Sequence, residues 1–179
     1  MSVLILPGLH DSDAGHWQSR WEARDQTLRR LRQDNWETPR CADWMATLDE
    51  AIERAGSEIV LVAHSLSCAL VAHWAVVAPR HRVHGALLVA PADPLSIPAG
   101  PQGFAPMPMQ RFGFPSIVVA STTDPFVTVE GAAAFAVAWG STFVNIGDAG
   151  HINTGSGFGE WREGLVLLRR LQQGSAPTA

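Results

Sequence analysis

Two hydrophobic rhythms alternate along the chain. Val3–Leu6, Ile59–Val62, Val83–Ala90 and Ser116–Ser121 are short runs dominated by aliphatic residues, the pattern of strands buried on both faces, and Thr142–Ile146 ends the series. Between them, apolar residues recur at helical spacing. Trp17 and Trp21 lie at i and i+4 in a helix expected from about Gly15 to Arg24, with Ser12 or Asp13 as its cap, and read as core anchors rather than a cofactor box. Trp44, Leu48, Ala51, Ile52 and Ala55 form a stripe that ends at Gly56, with Thr38 as N-cap and Pro39 at the first helical position. Leu66, Ala69, Leu70 and His73 form a third stripe, closed by Pro79. Thr128 caps an alanine-rich helix that runs to Trp139 and stops at Gly140, and a last helix is expected from about Glu160 to Gln173.

Residues 27–33 alternate Leu28, Arg30 and Arg32 against Arg29, Leu31 and Gln33, which is too charged for the middle of a sheet and suits an edge. Strand and helix in alternation predict a mostly parallel sheet of about six strands with helices on both faces, a three-layer sandwich. One domain over residues 1–173 accounts for the pattern, followed by a frayed tail at 174–179, with no internal repeat. Residues 91–115 carry seven prolines and no periodicity. So long an irregular stretch is usually functional. Because Phe104, Met107, Met109, Phe112 and Phe114 would otherwise face solvent, it is expected to pack across the sheet edge as a pocket wall.

Composition narrows the function. A formal charge of −4 and a pI near 5.9 leave no basic stripe for nucleic acid and no polybasic patch for a membrane. The apolar run at Met1–Pro7 is too short for a signal peptide or a span, so a cytoplasmic location is expected. Cys41 and Cys68 fall in predicted helices without metal-like spacing and are expected to be reduced and buried.

Ser65 sits where period two gives way to period 3.6, between the Ile59 strand and the Leu66 helix. A sharp strand-to-helix turn can lift a serine hydroxyl above the sheet's C-terminal edge and leave N–H groups of the helix start facing an oxyanion. The usual nucleophile elbow reads Gly-x-Ser-x-Gly, and here it reads Ala63-His64-Ser65-Leu66-Ser67. Taken alone, those residues also fit a serine that merely caps a helix. Topology adds weight to the first reading. Leu9, Ser65, Asp124 and His151 each follow a predicted strand, so they gather at one edge of a parallel sheet. The chain order Ser, Asp, His is that of α/β-hydrolases. His151 would be the base and Asp124 its orienting partner, with Asp148 the rival for that role. The oxyanion would meet the N–H groups of Leu66 and Leu9, His10 being the nearest alternative.

Other histidines have simpler readings. His16, His73, His81 and His84 are expected to be solvated or core-edge groups, and His81 with His84 lacks a third metal ligand. His64 precedes Ser65, where it can shape the pocket but is expected to point away if Ser65 points in. Gly155–Gly159 lacks the spacing of a phosphate loop.

Several strings are more specific: Pro7-Gly8, His16-Trp17-Gln18-Ser-Arg-Trp21, Ala63-His-Ser-Leu, Ala120-Ser-Thr-Thr-Asp124-Pro125, Gly147-Asp-Ala-Gly-His151-Ile-Asn and Ser156-Gly-Phe-Gly-Glu-Trp161. Across nearly its whole length the chain resembles the small lidless serine hydrolases related to retinoblastoma-binding protein 9, in particular their bacterial branch. The resemblance implies an α/β-hydrolase fold without a cap domain and a catalytic triad of Ser65, Asp124 and His151. Ser67 departs from it, since glycine is usual there and a Cβ would crowd the elbow.

The expectation is therefore a hydrolase of small esters, thioesters or amides that works through an acyl-serine, with no cofactor and no metal. A small-molecule acyl substrate would sit in a shallow pocket against His10, Trp17 and Phe126. The contrasting expectation is a binding protein that keeps the fold and holds a partner in the same crevice. A metallohydrolase would be a third class, with little in the chain to support it.

Overall fold

The computed structural model describes residues 1–56, 58–77, 83–98 and 100–174. Six strands, β1 (Ser2–Leu6), β2 (Leu28–Arg30), β3 (Ile59–His64), β4 (Val83–Val89), β5 (Ser116–Ala120) and β6 (Thr142–Asn145), make one sheet in the order β2-β1-β3-β4-β5-β6. Every pairing is parallel. Among the described residues five helices join them: α1 (Trp17–Arg24), α2 (Cys41–Ala55), α3 (Leu66–Val77), α4 (Val129–Trp139) and α5 (Arg162–Gln172).

The central strands divide their side chains between two cores, as the period of two requires. Leu61, Ala63, Leu88 and Val118 pack with Trp44, Leu48, Leu70 and Trp139 from α2, α3 and α4. Val60, Val62, Leu87, Val89, Ile117 and Val119 pack on the opposite face with Trp17 and Trp21 of α1 and Leu168 and Leu171 of α5. Helices therefore cover both faces, and among the described residues no cap is apparent. β2 is an edge strand of three residues, short and charged as its sequence implied.

The sheet grows outward from β1 in two directions, to β2 on one side and through β3 to β6 on the other. The loops after β1 and β3 therefore diverge at a topological switch point, where an open parallel sheet leaves a crevice.

Two helix starts differ from the local signals. α1 is capped by His16, whose Nδ1 accepts from the Gln18 N–H, while Ser12 Oγ donates to Gln18 Oε1 and Asp13 Oδ1 accepts from the Gly15 N–H. α2 begins after Arg40 rather than Thr38. Pro39 is drawn into a bridge with residues far along the chain: its carbonyl accepts from the Gln102 N–H, and the Gln102 carbonyl accepts from the Cys41 N–H. α5 starts at Arg162, two residues after the expected position.

The 91–115 segment packs as expected of a wall. Phe104, Met107 and Phe112 are buried in the core of α2, α3 and α4, whereas Met109 stays half exposed. Cys41 and Cys68 are buried free thiols. Pro79, expected to close α3, and His81 lie outside the described residues, as does the tail from 175 to 179.

Candidate active site

Ser65 alone links the last residue of β3 to the first of α3, and it does so at φ +57°, a region that non-glycine residues seldom occupy. Two backbone bonds hold it there. Its N–H donates to the Val89 carbonyl, and its own carbonyl accepts from the Cys68 N–H, both at 3.0 Å. The β1 loop passes so close that a Cβ on Gly8 would stand 2.8 Å from Ser65 Cβ, which only glycine avoids. Ser67 does not hold the elbow apart from that loop. Its buried hydroxyl donates to the Pro7 carbonyl at 2.5 Å and ties the two together.

His151 arrives from the loop after β6. Its Nδ1 lies 3.0 Å from both oxygens of Asp124, a carboxylate whose side chain is only 1% exposed. A carboxylate can only accept, so the proton is on Nδ1, and Nε2 is left to accept from the Ser65 hydroxyl at 2.8 Å. Asp124 Oδ1 also accepts from the Phe126 N–H at 2.9 Å, which fixes the carboxylate's plane. The ring of Phe126 stands edge-on to His151 with centroids 4.6 Å apart. Asp148 is occupied elsewhere, accepting from Thr123 Oγ1 at 2.7 Å.

Ser65 and His151 open into a cavity of about 450 Å³. Leu9, Ile97, Pro98 and Phe126 give it an apolar side, and Asp13, His16, Asn153 and Thr154 a polar one. His10 and Phe126 both line this cavity, with His10 beside Glu37, its Nδ1 3.0 Å from Oε2. His10 cannot offer its backbone N–H to an oxyanion, because that group donates to the Trp36 carbonyl.

Trp17 is not a wall of this cavity. It is fully buried against Trp21 and Trp161, and its indole N–H donates to the Ile152 carbonyl at 2.9 Å. The side chain at that point of the cavity is its neighbour His16. His64 does not point away either. It follows Val60 and Val62 on the α1/α5 face of β3, reaches under His151, and bonds through Nε2 to the His151 carbonyl at 2.9 Å. His64 borders the cavity, as its place before Ser65 allowed, but its direction follows the strand's alternation; His16, expected at a core edge, also lines the cavity, and the signal for it is its place just after the β1 loop. Burial holds both neutral. It lowers the pKa of His16 to about 4 and that of His64 well below the ordinary value. Burial also raises Cys41 to about 11 and pushes Cys68 up further, so neither thiol competes as a nucleophile.

Among the described residues no group of three or more His, Cys, Asp or Glu is arranged to hold a metal ion, and no helix is long and apolar enough to cross a membrane.

A parallel sheet with helices on both faces and a serine on the strand-to-helix turn of its third strand has the α/β-hydrolase fold. Within that fold the chain belongs to the serine hydrolase family, whose profile matches residues 3–170. A YdeN-like hydrolase from Pectobacterium atrosepticum is 31% identical, with a TM-score of 0.86 over 98% of this chain and 92% of its own. The ydeN gene product of B. subtilis is 22% identical, with a TM-score of 0.78 over 96% and 98% of the two chains. A thermophilic esterase from Thermogutta terrifontis shares the fold at 16% identity, with a TM-score of 0.71 over 98% and 90%. No curated protein matches the chain.

Proposed function

We propose that this serine hydrolase cleaves small esters, thioesters or amides through an acyl-serine intermediate, and that Ser65, His151 and Asp124 are its catalytic triad. The observation that carries the reading is the unbroken hydrogen-bond chain from the Ser65 hydroxyl through His151 to buried Asp124. Ser65 Oγ attacks the acyl carbonyl while its proton passes to His151 Nε2. The carbonyl oxygen becomes an oxyanion held by the backbone N–H groups of Leu66 and Leu9. His151 then delivers the proton to the leaving oxygen, sulfur or nitrogen, leaving the acyl group on Ser65. Water repeats the sequence, with its proton taken by His151 and returned to Ser65 as the acid departs. Throughout, Asp124 keeps the Nδ1 proton in place and stabilises the imidazolium.

The uncapped cavity, apolar on the side of Ile97 and Phe126, favours a short acyl chain and carboxylesterase-like activity. The motif strings and the two YdeN structures from bacteria support the bacterial branch of the retinoblastoma-binding protein 9-like group. Two buried free thiols accord with work in the cytoplasm. Ser67, the residue that speaks for a weakened elbow and a pure binding role, is accommodated there, its hydroxyl donating to the Pro7 carbonyl.

The test is turnover of p-nitrophenyl acetate and butyrate by the wild type and by Ser65→Ala. A fall in kcat of roughly 10⁴-fold or more is expected. Equal turnover by the two proteins would refute the reading.

A further inference from the structure

The loop that carries the base is strained where it matters. Ile152 follows His151 at φ +49°, a left-handed conformation that a β-branched residue avoids and that persists only where surrounding structure enforces it. The Ile152 side chain is fully buried on the α1/α5 face, in the same core as Trp17 and Trp161. Its φ therefore accompanies a packed position rather than a loose turn.

Three directional bonds meet on this short stretch. The His64 ring bonds through Nε2 to the His151 carbonyl at 2.9 Å, and since a carbonyl only accepts, His64 is the donor. The Trp17 indole N–H donates to the next carbonyl, that of Ile152, also at 2.9 Å. The His151 N–H donates to Ser156 Oγ at 3.1 Å. Two consecutive carbonyls are thus held by ring N–H groups from two different elements, α1 and the end of β3. The two rings also touch, with centroids 6.0 Å apart and nearly perpendicular planes.

The clamp has a geometric consequence. His64 is bonded covalently to Ser65 and by hydrogen bond to the main chain of His151, so one residue sets the nucleophile and the base relative to each other. A bond that held the loop from elsewhere could keep it folded without keeping that distance.

We infer that His64 and Trp17 are positioning residues, a pair of ring N–H donors that holds the His151–Ile152 main chain in its strained turn and so aims His151 Nε2 at Ser65. This rests on the proposed roles of Ser65 and His151. Trp17 is fully buried and does not line the cavity, while His64 borders it and spends its Nε2–H on the His151 carbonyl. Both act through the base, and they should govern the chemical step far more than substrate binding.

The experiment compares full-length wild type with Trp17→Phe, His64→Leu and His64→Gln, which retains an N–H donor. It reads kcat and KM for p-nitrophenyl acetate, thermal midpoint, and the downfield Nδ1 proton resonance of His151. Trp17→Phe and His64→Leu should each lower kcat by about tenfold to a hundredfold with KM within about twofold, and should shift or broaden the resonance. His64→Gln should recover most of the loss. Unchanged kcat and resonance in both donor-free variants would overturn the inference, as would a His64→Gln no better than His64→Leu. So would a loss that merely tracks a lower midpoint. If wild type turns over no ester, the reading of function fails, while the resonance still decides whether the clamp holds the ring.

Discussion

Two irregular segments border the same cavity and are held in different ways. Residues 91–115 are fastened by rings together with bonds to the main chain: Phe104 stands edge-on to Trp44, Phe112 stacks between Phe114 and Trp139, and the ring N–H groups of His73 and Trp139 donate to the carbonyls of Phe104 and Pro108. Residues 147–161 are fastened by directed polar bonds, from Ser121 and Thr123 to the amides of 149 and 150, from Ser156 to that of 151, and from His64 and Trp17 to successive carbonyls. The second segment also contains Ile152 and Trp161 at positive φ, and the first has no non-glycine residue there among those described. A wall needs chiefly to exclude water, which the burial of Phe104, Met107 and Phe112 supplies whatever bonds accompany it. A base must present one nitrogen to one hydroxyl, and only bonds with direction set that.

The widest gap between the two segments should appear when His151, the proposed base, loses its partner. Asp124→Asn should lower kcat by roughly 10⁴-fold with little change in KM, because an amide can hold the ring with its proton on the wrong nitrogen. Steady-state kinetics on p-nitrophenyl esters, with folding checked by circular dichroism, would measure it. On the wall side the effect should fall on stability. Phe104→Ala removes a fully buried ring and should cost about 3–5 kcal/mol in urea unfolding, while the protein that remains folded keeps most of its kcat. A kcat loss as large as that of Asp124→Asn would break the distinction.

Acid should act first on the polar side. His16 has an ordinary pKa of 6.5 when unfolded and is held at about 4 when folded, burial being the largest cause; Arg30 and His151 push the same way, and Asp13 and Asp11 oppose them. Between those values the unfolded chain binds a proton that the folded one refuses. This contribution is therefore fully present above about pH 6.5 and is lost as pH falls toward 4, by up to ~3 kcal/mol for His16. His64 shifts in the same sense. Urea titrations at stepped pH should show less of this decline in His16→Gln. The smallest expected effect is at the elbow, where Ser67→Ala removes the bond to Pro7 and should cost about 1 kcal/mol, with a modest fall in kcat.

Much of this was readable in the chain. Six strands and five helices follow from apolar period, and Ser65, Asp124 and His151 from their order and their places after strands. What escaped depends on distant partners. Thr38 looked like a cap, but Pro39 is engaged by Gln102, more than sixty residues away in the chain. Trp17 is the core anchor that its helical spacing implied, but not part of the pocket as well, because its indole turns to Ile152. Ser67 looked obstructive because a local motif wants glycine, and its hydroxyl finds an acceptor that no local motif describes.

The central claim is that Ser65 is activated by His151. Intact-mass and peptide analysis after exposure to a fluorophosphonate tests it most directly, with Ser65→Ala and His151→Ala run beside the wild type. A single adduct on Ser65, absent from the first variant and slowed by orders of magnitude in the second, is the predicted result. A folded wild type that takes no adduct, or labels as fast without His151, would contradict it.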